Sequence, residues 1–275
     1  MFGRPKIELK TDEQIVKMRE AGMVVHDALN AACAQVRPGA TTADVNQAAV
    51  DVLAAAGATS NFLNYGRPPF PGVACVSVNE EVVHGIPGRR ELALGDLVSI
   101  DCGAIVDGWH GDAARTVVCG GEEAAVGDDA LLSQVTHDAL WAGIAALATA
   151  RFLGQVGGAI EDRVAERFEI LEGYTGHGIG TAMHMAPEVL NYRVRDRGPR
   201  IRPGLCVAIE PMCVAGSSDV VTLEDEWTVV TRDGSHGAHW EHTVAVHEQG
   251  IWVLTAPDGG LAGLAPFGVT PVALA

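Results

Sequence analysis

The sequence predicts a mixed helix-and-strand fold built as two similar halves, and three observations predict it. Two short signatures recur in the same order: His84-Gly85-Ile86 returns as His177-Gly178-Ile179, and Gly95-x-x-Val98-x-Ile100-Asp101 returns as Gly204-x-x-Val207-x-Ile209-Glu210. Each half opens with two helix-like stretches before its strands. Directly after the first signature, Asp107-Gly108 sits between alternating apolar segments, a strong hairpin signal because both residues tolerate positive φ. The duplication would put Asp101 and Glu210 at equivalent strand positions facing one cleft.

In chain order, Thr11 caps a first helix and Gln14 completes a capping box. Ile15, Met18, Gly22, Val25, Leu29, Ala32 and Val36 follow at helical spacing until Arg37-Pro38-Gly39 stops the run. A second helix starts at Thr41 or Thr42, buries Val45, Ala49, Val52 and Leu53, and ends at Gly57. Residues 58–72 form a loop carrying Phe62, Tyr65, Phe70 and Pro71, and 73–78 a strand before the His84-Gly85-Ile86-Pro87 loop. The hairpin strands are 97–105 and 109–118. Residues 128–149 and 155–170 read as two further helices. An extended stretch then sets His177 between glycines, and 205–209, 227–231 and 241–247 read as strands. The Ala-, Pro- and Gly-rich C-terminus has no period and reads as an irregular strap.

At 275 residues and 48% hydrophobic content the chain can bury a sizeable core. No apolar run reaches the roughly 18 residues of a membrane-spanning helix, and the charged start MFGRPKIELKTDEQ lacks the apolar core of a secretory signal. Six cysteines without C-x-x-C spacing point to reduced thiols and a cytoplasmic protein. A net charge of −16 excludes nonspecific nucleic-acid binding across the whole surface. Arg193, Arg195, Arg197, Arg200 and Arg202 nevertheless crowd one loop, either as a solubilising face or as a local patch for an anionic partner.

Asp101, Asp112, His177, Glu210 and Glu241 all sit inside apolar strand contexts. With the turn at 107–108, Asp101 and Asp112 share a face as direct or diagonal neighbours, where two like charges repel. A single such acid is commonly a hydrogen-bonded strand end; five in matching contexts form an oxygen-dominated donor set. Such a set suits Mn²⁺ or Fe²⁺ better than a thiolate zinc site. Two divalent ions would roughly cancel four carboxylates, and a bridging hydroxide would be the nucleophile.

The ordered motifs CVSVNEEVVHGIPG, the Asp101–Asp112 hairpin, GHGIGTAMHMAPEVLNY, AIEPM, DEWTVVT and WEHTVAV cover most of residues 10–255. On them the chain resembles the type I methionine aminopeptidases. The resemblance implies an α+β pita-bread fold, with pseudo-two-fold halves and a curved, mostly antiparallel sheet flanked by helices, as one catalytic domain over 1–275. It implies that Asp112 and Glu241 bridge two divalent ions (Fe²⁺ or Mn²⁺, with Co²⁺ also supporting activity), Asp101 completing one sphere and His177 and Glu210 the other. His84 and His184 would face the substrate and stabilise the oxyanion, and Glu210 would also shuttle a proton. Cys75, Tyr65, Phe70, His84 and Trp227 would line a narrow methionine pocket, with Phe62 a further member. The loop NYGRPPFPG is longer than the family pattern.

The implied reaction is removal of initiator methionine from nascent chains with a small second residue, by a cytoplasmic monomer. The Arg193–Arg202 loop would contact ribosomal RNA. An X-Pro aminopeptidase or prolidase on the same fold is the related alternative, and it resembles this chain less at HGIG and around Trp227. A non-catalytic binding protein would have lost ligands, and neither G-x-S-x-G nor H-E-x-x-H occurs.

Overall fold

The computed structural model describes residues 6–164 and 167–274. Helix α1 (Asp12–Cys33) starts at the expected box: Thr11 Oγ1 accepts from Gln14 N and Gln14 Oε1 from Thr11 N. Helix α2 (Thr42–Ala55) repeats the device with Thr41 and Asp44. Gly57, at φ +65°, follows its end. Val45, Ala49 and Leu53 are buried as expected, whereas Val52 is only half-buried. Helices α3 (Asp129–Thr149) and α4 (Gly154–Val164) open the second half.

A nine-stranded sheet joins the halves, and its strand pairings are antiparallel. Its centre runs Leu97–Val106, Trp109–Val118, Glu241–His247, Cys206–Ile209, Gly176–Gly178. Asp107 (φ +48°) and Gly108 (φ +80°) form the tight turn, which fixes the register with Val106 opposite Trp109. Because side chains alternate, Ile100 and Cys102 enter the core under α1 and α2 while Asp101 between them points to the other face. Under α3 and α4, Val207 and Ile209 are buried with Leu140 and Ile144. Each half thus packs two helices on one side of the sheet and leaves the other side for chemistry.

Other expectations need correction too: the first helix stops at Cys33, short of Val36. The helix expected over 155–170 ends at Val164; residues 165 and 166 lie outside the described residues, and Glu169–Ile170 is instead a strand. Ile170 and Glu169 pair with Cys213 and Val214, so tertiary pairing overrides local helical period. The strand expected from 227 begins at Val229, because Trp227 N and Thr228 N both donate to Asp225 Oδ1 in a side-chain-capped turn. The C-terminal strap contains a short α-helix, Leu261–Leu264, followed by a 3-10 turn, Ala265–Phe267.

Candidate metal centre

Three strands set three carboxylates on one face. Asp101 pairs with Ala114, and Ala114 pairs in turn with Glu241, so the two acids share one row with a methyl group between them. Asp112 is opposite Gly103, two residues along from Asp101, which makes the aspartates diagonal neighbours. Thr243 fastens Asp112 by its backbone, Oγ1 accepting from Asp112 N (3.0 Å) and donating to Asp112 O (2.8 Å). The second half supplies His177, paired opposite Ala208, and Glu210, just past the Cys206–Ile209 strand. Asn191 Nδ2 holds the Glu210 carbonyl at 3.0 Å.

One ligand-type atom from each of Asp112, His177 and Glu241 lies within 4.8 Å of the others, and all three residues are buried. His177 Nε2 is 3.4 Å from Glu210 Oε1. All five expected ligands line one cavity of about 250 Å³, shared with Cys75, His84, His184, Tyr65, Phe70, Trp227 and Phe62. Among the described residues, Asp101 Oδ1, Asp112 Oδ1 and Glu241 Oε1 are buried without a hydrogen-bond partner. Buried carboxylate oxygens are costly unless something cationic meets them, so the donor set fits divalent ions.

The electrostatics agree. Burial first, then the charges of Asp112 and Glu210, pushes the Asp101 carboxyl well above the usual range. Burial followed by Asp112, Glu210 and Asp101 does the same to Glu241. Burial, and then Asp112, raises Glu210, while burial takes Asp112 up to about 7. Burial, aided by His184, drives His177 down to about 4, leaving a neutral imidazole. Among the described residues no helix is long and apolar enough to cross a membrane.

His84 and His184 flank the cavity differently. His84 sits at φ +61°, an unusual conformation for a residue with a side chain. It is held where Gly85 packs tightly on Val76 and Ser77, with Gly85 N donating to Ser77 Oγ (3.0 Å) and Gly85 O accepting from Val76 N (2.9 Å). Its ring meets Tyr174 and Trp227 edgewise, and burial, then His184, lowers its pKa to about 4. His184 stands at the rim, its Nδ1 2.8 Å from the Tyr65 hydroxyl and its ring 4.5 Å from that of His177. Phe70, 2% exposed despite its long loop, meets Trp227 edgewise at 5.3 Å, and Trp227 Nε1 donates to Pro68 O across that loop.

Two nearby residues escape the sequence reading. Met183 packs with Phe62, Phe70 and Cys75 in the cavity wall. His239 is buried with Nε2 unpartnered and 3.7 Å from Glu210 Oε2. Its two-residue spacing from Glu241 in HWE was the available signal. A larger groove of about 740 Å³ borders the same His177 and His184 and runs along the Met185–Val189 strand. The arginine loop is partly committed internally: Arg193 pairs with Asp162 (2.6 Å) and Glu161 (3.3 Å), and Arg197 lies over the Phe152 ring.

Residues 16–248 match the model of metallopeptidase family M24. The chain belongs to that family. Within M24, it is 45% identical over 261 residues to methionine aminopeptidase 1 of Mycobacterium tuberculosis, covering 92% of this chain and 96% of the relative. The crystal structure of methionine aminopeptidase from Thermotoga maritima superposes with TM-score 0.86 at 37% identity, over 91% of this chain and 99% of that one. Prolidase from Pyrococcus furiosus shares the fold alone, with TM-score 0.70 at 19% identity, 90% of this chain covering 65% of it. This M24 chain is therefore a metallopeptidase of the methionine aminopeptidase branch, with the pita-bread fold that its motifs imply.

Proposed function

We propose that this M24 enzyme removes the initiator methionine from nascent polypeptides whose second residue is small, as one catalytic unit over 1–275. The observation that carries the reading is the cavity in which five ligand-type side chains from separate segments converge, three of them with buried carboxylate oxygens that have no hydrogen-bond partner among the described residues. Asp112 and Glu241 would be shared between two divalent ions, Fe²⁺ or Mn²⁺ with Co²⁺ also supporting activity; Asp101 would complete one set and His177 and Glu210 the other. When bound, the ions would supply Lewis acidity and lower the pKa of water from ~15.7 towards about 7.

The chain's own groups do the rest. Cys75, Tyr65, Phe70 and Trp227 line the same cavity and would hold the methionine side chain, sulfur–aromatic contacts favouring its thioether. His84 and His184, which line the cavity from separate segments, donate to the scissile carbonyl as negative charge grows on its oxygen. Tyr65 orients the His184 ring through the Oη–Nδ1 contact. Glu210 carries a proton to the leaving amine. A monomeric cytoplasmic enzyme would meet nascent chains at the ribosome, where the Arg193–Arg202 loop would offer its arginines to RNA, Arg193 being already paired with Asp162 and Glu161. Unchanged ribosome co-sedimentation after replacing all five loop arginines by Ser would refute that docking.

Titration of metal-free protein with Mn²⁺, Fe²⁺ or Co²⁺ tests the reaction, by following methionine release from Met-Gly-Met against Ala-Pro-Ala. Release from the first peptide alone supports the reading. A loaded enzyme that leaves Met-Gly-Met intact, or prefers Ala-Pro-Ala, overturns it.

A further inference from the structure

We infer that residues 7–10 form a strap that fixes the 180–184 loop, making Glu8 and Thr181 positioning residues for His184 and Met183. That loop links the Gly176–Gly178 and Met185–Val189 strands and delivers Met183 to the cavity wall and His184 to its rim. Gly180 O accepts from His110 N at 3.0 Å and Gly180 N donates to Ala182 O at 3.1 Å. The next residue is held from outside. Thr181 Oγ1 donates to Glu8 Oε2 at 2.6 Å and Thr181 N to Glu8 Oε1 at 3.3 Å, so one carboxylate grips both polar groups of one residue.

Glu8 is itself immobilised. Lys10 Nζ lies 3.3 Å from Glu8 Oε1 and donates to Glu8 O, and the Lys10 side chain is 1% exposed. A buried ammonium needs a counter-charge, and Glu8 supplies it. Lys10 N donates to Gly204 O at 2.8 Å, which ties the strap to the segment that leads into the Cys206–Ile209 strand. Gly180 admits this arrangement because a Cβ there would run into Lys10 Cε and Glu8 Oε1. Buried lysine, carboxylate, threonine and loop thus form one chain of contacts ending three residues before His184. The positioning role rests on the reading of His184 as substrate-facing; the strap does not.

The test pairs amide exchange with kinetics in full-length metal-loaded protein. Thr181→Val removes the hydroxyl without touching the Lys10–Glu8 pair, and Thr181→Ser restores it. In Thr181→Val, exchange across 180–184 should quicken about tenfold while exchange in α1 and the Tm stay at wild-type values. kcat/KM for Met-Gly-Met should fall about tenfold with kcat and KM both affected, and Ser should return it to within about twofold of wild type. Exchange equal to wild type, or quickened evenly along the chain, overturns the strap. Faster local exchange with unchanged kinetics overturns the positioning role. A wild-type enzyme that releases no methionine fails the functional reading, and the exchange result still decides the strap.

Discussion

Asp101 and Glu241 stand in one row of the sheet with only Ala114 between them, Asp101 paired opposite Ala114 and Ala114 opposite Glu241. Neighbouring strands are about 4.8 Å apart, so this row sets the two backbones roughly 10 Å apart with a methyl group beneath the gap. Ala114 is fully buried. Its small size is what leaves room for anything to lie between the acids. Ala114→Leu should therefore fill the site, cutting Mn²⁺ affinity and kcat/KM by at least about 100-fold, roughly 2.7 kcal/mol. Overpacking should cost about 1–3 kcal/mol of stability as well. Calorimetric Mn²⁺ titration of the folded variant checks it; wild-type affinity would show that the space is not used.

Removing one acid should separate stability from binding. In the metal-free protein Asp101 is held among Asp112, Glu210 and Glu241. Asp101→Asn relieves that repulsion, so the metal-free Tm should rise while the Tm gain on adding Mn²⁺ shrinks. Thermal melts with and without metal read both effects. A lower metal-free Tm would mean that the carboxylate is satisfied by protein groups alone.

The metal-free protein should lose stability as pH rises from about 6.5 to 8. Unfolded Asp and Glu ionise near pH 4, whereas the folded cluster holds its protons higher, Asp112 to about 7. Across this window the folded state binds more protons, so raising pH favours unfolding. Below about 6.5 the buried His84, His177, His239 and His242, lowered mainly by burial, act in the opposite sense. The Tm should drop by a few degrees or more between pH 6.5 and 8 without metal, and saturating Mn²⁺ should abolish the drop. A metal-free Tm that rises over the window would contradict the clustering.

His84→Ala and His184→Ala should each lower kcat by about 10²–10³ with smaller changes in KM, as for the loss of an oxyanion donor. Tyr65→Phe, which removes the contact to His184 Nδ1, should cost about fivefold, on the order of 1 kcal/mol. Steady-state kinetics on Met-Gly-Met provide the comparison. Equal losses in Tyr65→Phe and His184→Ala would assign the tyrosine a direct role instead.

Much of this is legible in the sequence, for local reasons. Thr11/Gln14 and Asp107-Gly108 act within a few residues, so their helix start and hairpin register need no tertiary information. The repeated Ile-acid signature marks Asp101 and Glu210 because an acid after a buried strand residue is costly wherever it occurs. What is decided by distant partners is not legible. Glu169–Ile170 becomes a strand only because Cys213–Val214 is there to pair with it, and Trp227 leaves its strand because Asp225 caps the turn. Met183 and Thr181 look like unremarkable loop residues until the loop closes over Cys75 on one side and meets Glu8 on the other. His239 is similar: its neighbour Glu210 follows the end of a different strand, Cys206–Ile209. The long 61–72 loop still buries Phe70, since Trp227 closes over it from the far half of the chain.

The most direct measurement is the number of Mn²⁺ ions bound per chain by wild type and by single variants of Asp101, Asp112, His177, Glu210 and Glu241 to Asn, Asn, Ala, Gln and Gln. Two ions per wild-type chain, with weakened or lost binding in every variant and parallel loss of methionine release, is the expected result. Wild-type binding that survives Asp112→Asn or Glu241→Gln, or a fully active protein with no bound metal, would contradict it.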